Sequence, residues 1–162
     1  RPHGRDAVAR RDPAKPAPKK VKRVVFCSGK VYFDIAAERD KRGIEVVAVV
    51  RIEQLYPFPH TEFAAQIALY ANAKSVVWAQ EEPANQGAWH RIQHYLLRHM
   101  RPEQVLGYAM RASSASPAAG YLSLHNEQQK AVVNAAFGEI TDNLVLPVQG
   151  TGKAKRKPRR GS

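Results

Sequence analysis

Four short apolar runs limit the fold more than any other feature of this chain. They are Arg23–Cys27 (RVVFC), Glu45–Val50 (EVVAVV), Ser75–Gln80 (SVVWAQ) and a weaker one, Val105–Met110 (VLGYAM), interrupted by Gly107. The first three are rich in β-branched residues and nearly continuous rather than alternating, as suits a strand covered on both faces. The stretches between them have helical spacing. Val31, Ile35 and Ala36 form a stripe that runs up to Arg42, with Gly43 as the terminating glycine. A second helix is predicted from His60 or Thr61 to about Ala71, with Phe63, Ile67 and Tyr70 on one side, and a third from Ala88 to Met100. After the last strand come a loop rich in Ser, Ala and Gly (Arg111 to Gly120), a short helix after Pro117 and a longer one from about Asn126 to Phe137, closing at Gly138. Strands that alternate with helices predict an α/β fold in three layers, a mostly parallel twisted sheet with helices on both faces and right-handed crossovers. Ile140 to Val148 is a further edge-strand candidate.

Length allows one domain with a sizeable core: the chain has 162 residues. Its formal charge of +12 suggests nucleic acid until it is divided along the sequence. Residues 1–22 hold eight Lys/Arg and two Asp, residues 151–162 hold six Lys/Arg and no acid, and residues 23–150 hold twelve of each sign. The predicted folded part is therefore neutral. The expected organisation is a basic, disordered segment at 1–22, a domain at 23–138, and an extra tail at 139–162 that is basic and disordered from about 151. The tails allow non-specific, salt-sensitive polyanion binding, and nucleic acid is otherwise not an expected partner. The single Cys27 fits a reducing compartment and reads as a buried, inert thiol. No apolar run approaches the roughly 18 residues needed to cross a bilayer, and no signal peptide is visible. The first residue is Arg and the first Met is Met100, which reads as a fragment, a processed product or a frameshifted reading frame.

Chemistry-bearing motifs are scarce. Only one glycine follows the first strand, in CSGK, so the G-x-G-x-x-G fingerprint is missing, and so is a phosphate loop. The third strand stops on Glu81, Glu82 and Pro83, and the polar turn Asn85-Gln86-Gly87 leads into a helix. In open parallel sheets this is the loop where ligands and partner domains dock. One of the two glutamates is expected to cap the following helix, and a subunit contact is the other reading. His90 and His94 have the spacing of a shared metal, but no third ligand accompanies them and surface or interface histidines are the favoured reading. Ser113, Ser114 and Ser116 form no nucleophile elbow. Trp78 is assigned to the core, whereas Tyr56 and Phe58, in a proline-flanked loop, are better placed to touch another chain or domain.

Five blocks, taken in order, carry a resemblance. CSGKVYFD (27–34), VVRIEQLYPFP (49–59), WAQEEPANQGAW (78–89), SASPAAGY (114–121) and HNEQQKAVVNAAFG (125–138) closely resemble the carboxyl-terminal domain of the thiamine-dependent first component of 2-oxoglutarate dehydrogenase. The resemblance covers about 23–138 and implies a transketolase-like carboxyl-terminal domain. In that family the whole enzyme, an oxidoreductase of the tricarboxylic acid cycle, decarboxylates 2-oxoglutarate on thiamine diphosphate with magnesium. It then passes the succinyl group to the lipoyl arm of a second component. The resemblance places the cofactor between the preceding domains at a homodimer interface, and implies no catalytic, cofactor or metal residue in this chain. The partners it implies are the missing amino-terminal domains, a second subunit and the lipoyl-bearing succinyltransferase. The location it implies is the cytoplasm, or the mitochondrial matrix in a eukaryote. Because some members bind acetyl-CoA or an adenine nucleotide nearby, Arg51, Arg111, Ser114 and Ser116 are candidate anion contacts. Tyr56, Phe58, Glu81, Glu82, Asn85, Gln86, Trp89 and His94 are candidates for the domain or dimer interface. The chain departs from the family's G-R-P-A-S-A-S-P, reading Met110-Arg111-Ala112-Ser113-Ser114-Ala115-Ser116-Pro117, and so lacks a permissive glycine and a rigid proline. Residues 1–22 do not match what normally precedes CSGK, and the family usually ends near Gly138. A stand-alone interaction module and a polyanion binder acting through the tails are the alternative readings.

Overall fold

The computed structural model describes residues 16–111, 122–138, 140–141 and 144–145. Strands β1 (Arg23–Cys27), β2 (Val47–Arg51), β3 (Ser75–Pro83) and β4 (Val105–Arg111) form one parallel sheet in the order β2-β1-β3-β4. Helices α1 (Val31–Lys41), α2 (His60–Leu69), α3 (Trp89–His99) and α4 (Leu122–Phe137) cover it on both sides. The three-layer α/β arrangement expected from the sequence is the arrangement found.

Strand alternation decides which helix packs where, because successive side chains leave opposite faces. Val24, Phe26, Val50 and Trp78 meet Phe63 and Ile67 of α2 and Trp89, Ile92 and Leu96 of α3. Val25, Cys27, Val49, Val77 and Ala79 meet Val31 and Ile35 of α1 and Val132, Val133 and Ala136 of α4. Residues in register share a face: Val25 lies beside Val49 and Val77, and Phe26 beside Val50 and Trp78. The polar first residue of β1 is also fully buried. Arg23 donates from Nε to Ser75 Oγ at 3.0 Å and from Nη1 to the carbonyls of Ala136, at 3.1 Å, and Phe137. Those carbonyls end α4 and have no partner within the helix, so a buried cation is well matched to them. Burial pulls the guanidinium down to about 10, which leaves it charged at neutral pH.

The structure moves several expected boundaries. Ahead of residue 23, Pro18–Lys20 form a 3-10 turn, and Val21 is fully buried in the α2–α3 core. β3 continues through both glutamates to Pro83, with a register irregularity between Ala79 and Pro83. The last helix begins at Leu122, four residues earlier than expected. The short helix expected after Pro117 lies outside the described residues. Of the edge-strand candidate, the described residues pair with each other, β5 (Ile140–Thr141) antiparallel with β6 (Leu144–Val145), in a separate two-stranded sheet.

Candidate functional site at the carboxyl edge of the sheet

From β1 the chain passes through α1 to β2 on one side, and from β3 it passes through α3 to β4 on the other. The adjacent strands β1 and β3 therefore part at their carboxyl ends, which opens the crevice where open α/β sheets place their ligands. The loop after β1 carries Lys30, and the end of β3 carries Glu81 and Glu82.

A buried amide sets the shape of the second loop. Gln80 Oε1 accepts from Trp78 Nε1 at 2.9 Å and from the Trp89 backbone N–H at 3.2 Å. Its Nε2 donates to the carbonyls of Glu82 at 3.1 Å and Pro83 at 3.0 Å. Both lone pairs and both N–H groups are used, so nothing in this buried group is left unsatisfied. Gly87 closes the turn at φ +58°, where a Cβ would stand 2.9 Å from Gln80 Nε2. Two reasons therefore require glycine there, backbone handedness and the approach to Gln80. The expected glutamate cap is not formed: the residue at the amino-terminal cap of α3 is Ala88, with no side-chain hydrogen bond.

Glu81 faces the crevice. Gln129 of α4 donates from Nε2 to Glu81 Oε1 at 2.9 Å and to Asp34 Oδ2 of α1 at 3.0 Å. Lys30 Nζ approaches Glu81 Oε1 at 3.9 Å, although this lysine is largely exposed and such a pair contributes little by itself. Gln129 thus joins the sheet edge to both helices of that layer, and its buried Oε1 has no hydrogen-bond partner among the described residues. Glu82 is exposed, whereas Glu81 is half-buried.

The candidate anion contacts are not gathered in one place. Arg51 ends β2, with Nη2 3.3 Å from Glu53 Oε2 and its guanidinium 5.3 Å from the centre of the Phe33 ring. Arg111 ends β4, and its Nη2 lies 3.1 Å from His125 Nδ1. In both arginines Nε is buried and without a hydrogen-bond partner among the described residues. The strand order places β1 and β3 between them, roughly 14 Å of sheet at about 4.8 Å per strand. Ser114 and Ser116 lie outside the described residues.

The interface candidates divide as well. Tyr56 is 92% exposed, whereas Phe58 and Trp89 are buried. Phe58 stacks on Tyr95 with ring centres 5.1 Å apart, and Trp89 packs on Tyr108 at 5.2 Å. Their apolar surface is therefore satisfied within the chain's own core, as it is for Trp78. Asn85 is exposed, Gln86 is half-buried, and His94 is exposed beside Tyr95, with ring centres 3.9 Å apart. His90 is exposed too, and the described residues contain no group of three side chains able to hold a metal. Cys27 is fully buried, and burial pushes its thiol up to about 12, with Arg51 pulling weakly the other way. It is protonated and inert at neutral pH. No helix among the described residues is long and apolar enough to cross a membrane.

Sequence reasoning missed Lys30, Asp34, Gln80, Gln129 and His125 as parts of this edge, and missed the contact between His60 and His99. Only Gln80 left a usable trace, as a polar residue ending an apolar strand.

Comparison with known proteins agrees with this architecture. The family model described as 2-oxoglutarate dehydrogenase C-terminal matches residues 6–137, beginning well before residue 23. The 2-oxoglutarate dehydrogenase E1 component of Cupriavidus necator is 55% identical over 121 residues, which cover 75% of this chain and 13% of the relative. The corresponding protein of Azotobacter vinelandii is 54% identical over 123 residues, with coverage of 74% and 13%. That of Coxiella burnetii is 50% identical over 122 residues, with coverage of 74% and 13%. The chain thus spans about an eighth of the length of these relatives.

Proposed function

The chain belongs to the 2-oxoglutarate dehydrogenase C-terminal family, and from that premise we propose that it serves as the carboxyl-terminal domain of a thiamine-dependent 2-oxoglutarate dehydrogenase. The observation that carries this reading is the family match over residues 6–137, joined to identity of 50% or more with three E1 components. The complete enzyme would decarboxylate 2-oxoglutarate and hand the succinyl group to a lipoyl-bearing partner, in the cytoplasm of a bacterium or the matrix of a mitochondrion.

This chain's share of that work is positional. Thiamine diphosphate and magnesium belong on the domains that carry the family's G-D-G…N segment, a pattern this sequence does not contain. Here the Gln80 amide stiffens the loop that presents Glu81, Glu82, Asn85 and Gln86, and Tyr56 projects from a separate loop. These are the groups we assign to contacts with the preceding domains or a second subunit. Arg111 is the stronger candidate for an anionic effector, since the segment of Ser114 and Ser116 follows it directly in the sequence. Arg51, three strand positions away and engaged by Glu53 and Phe33, is the weaker one.

A chimera tests the reading. Residues 23–138 replace the matching segment of the Cupriavidus necator E1 component, and 2-oxoglutarate decarboxylation is assayed with thiamine diphosphate and magnesium. A dimer with activity within about tenfold of the parent is expected, a loss below about 1.4 kcal/mol of activation free energy. A soluble chimera that is inactive or monomeric would overturn the assignment. Arg111→Ala in the active chimera is expected to weaken its response to acetyl-CoA or an adenine nucleotide.

A further inference from the structure

Away from the crevice, two histidines 39 residues apart meet between α2 and α3. His60 Nδ1 lies 2.8 Å from His99 Nε2, with ring centres 5.1 Å apart. Aromatic rings surround them. His60 stands edge-on to Phe58 at 5.0 Å and to Tyr95 at 4.9 Å, and His99 stands edge-on to Phe63 at 5.9 Å. A nitrogen–nitrogen contact this short needs one N–H and one lone pair. A neutral pair satisfies that, and so does a pair sharing one extra proton. A pair with two extra protons does not, because N–H then faces N–H and charge faces charge.

We propose that His60 and His99 form a pH-sensitive latch that fastens the first turn of α2 to the last turn of α3 and opens when the pair takes up its second proton. The surroundings favour the closed, less protonated state. His60 is the first residue of α2. Burial, then His60, then Arg98 all hold His99 below the ordinary imidazole value of 6.5. The other charged or titratable side chains on the flanking turns are Glu62 of α2, His94 and Tyr95 of α3, and Arg101 just beyond it. Arg98 lies over the Tyr95 ring at 6.0 Å. A histidine held down in the native state binds fewer protons there than in the unfolded chain. The stability of the contact is therefore complete above about 6.5 and declines as pH falls through and below that value. The consequence extends past the two helices, because Phe58 packs on His60 and Tyr95 and anchors the connector that carries exposed Tyr56. Opening the latch releases that connector.

Amide hydrogen exchange of the full chain from about pH 7.5 to about pH 5, corrected for intrinsic rates, tests the latch across the histidine range. Protection at the Phe63 and Met100 amides, which close the two latched turns, is expected to fall together by about tenfold while β1 and β3 keep theirs. His99→Gln keeps a hydrogen-bonding partner but cannot titrate, and is expected to remove the step. Imidazole nitrogen NMR of the unaltered chain provides a second measurement if that variant does not fold. It should show the pair taking its two protons in two separated steps. Independent titration of the two rings, or a step that persists in His99→Gln, would overturn the proposal.

Discussion

The two faces of the sheet are made from alternate residues of the same strands, yet they are built differently. The α2–α3 face is aromatic: Phe26, Phe58, Phe63, Trp78 and Trp89 lie in one core, with Phe26 and Phe63 centred 4.6 Å apart. The α1–α4 face sets smaller side chains against the helices, including Val25, Cys27, Val77, Ala79 and Ala109. Small residues let helices lie close to a sheet, and polar side chains at its edge can then reach from one element to the next. Gln129 does so, touching both Asp34 and Glu81. The rings are gathered on the α2–α3 face, and the polar bridge across the crevice lies on the opposite one.

Three measurements test that contrast. The largest effect should come from neighbouring residues of one strand that point to opposite faces. Trp78→Ala is expected to cost about 3–5 kcal/mol in urea unfolding, and Val77→Ala only about half of that. Equal losses would show that the two faces share the load.

A smaller effect belongs to the loop between the faces. Gln80→Leu leaves the Trp78 indole and two carbonyls without their partner and is expected to cost about 2 kcal/mol, with faster exchange at the Trp89 amide. Gln129→Leu, in a half-buried bridge, should cost less than about 1 kcal/mol. An unchanged Trp89 amide in Gln80→Leu would mean that the loop is shaped by Gly87 alone.

The smallest effect comes from Cys27, on the small-residue face. Its native thiol is held near 12 against an ordinary value of 9.0, so above that ordinary value the unfolded chain loses a proton the native chain retains. Stability is complete below about pH 9 and should fall by about 1 kcal/mol by about pH 10. In Cys27→Ala the part of the alkaline decline due to the thiol should vanish, and an identical decline in both proteins would show that the thiol is not its source.

The layers were legible in the sequence because each strand is a continuous apolar run and each helix carries its own stripe. What escaped was made of residues brought together from far apart. Gln129 meets Asp34 across 95 residues, and His60 meets His99 across 39. No local period encodes such pairs. Arg23 was hidden differently, as one charge opening an apolar run whose partners are the Ser75 hydroxyl and main-chain carbonyls more than 100 residues away in sequence. The glutamate cap failed for a local reason: β3 continues through Glu81 and Glu82, and α3 does not begin until Trp89, beyond the reach of a cap from either. Phe58 looked like a contact for another chain because prolines flank it, but its ring turns inward onto Tyr95.

The Arg23 clasp also governs how this domain sits in a longer polypeptide. The first residue of β1 holds the last carbonyls of α4, so the points where the chain comes in and leaves are pinned together by one side chain. A load on either flank reaches the Ser75 hydroxyl and the Ala136 and Phe137 carbonyls, and fraying of α4 from its end loosens the hold on the start of β1. Such a unit is inserted, moved and released whole, as a bead tied at its neck.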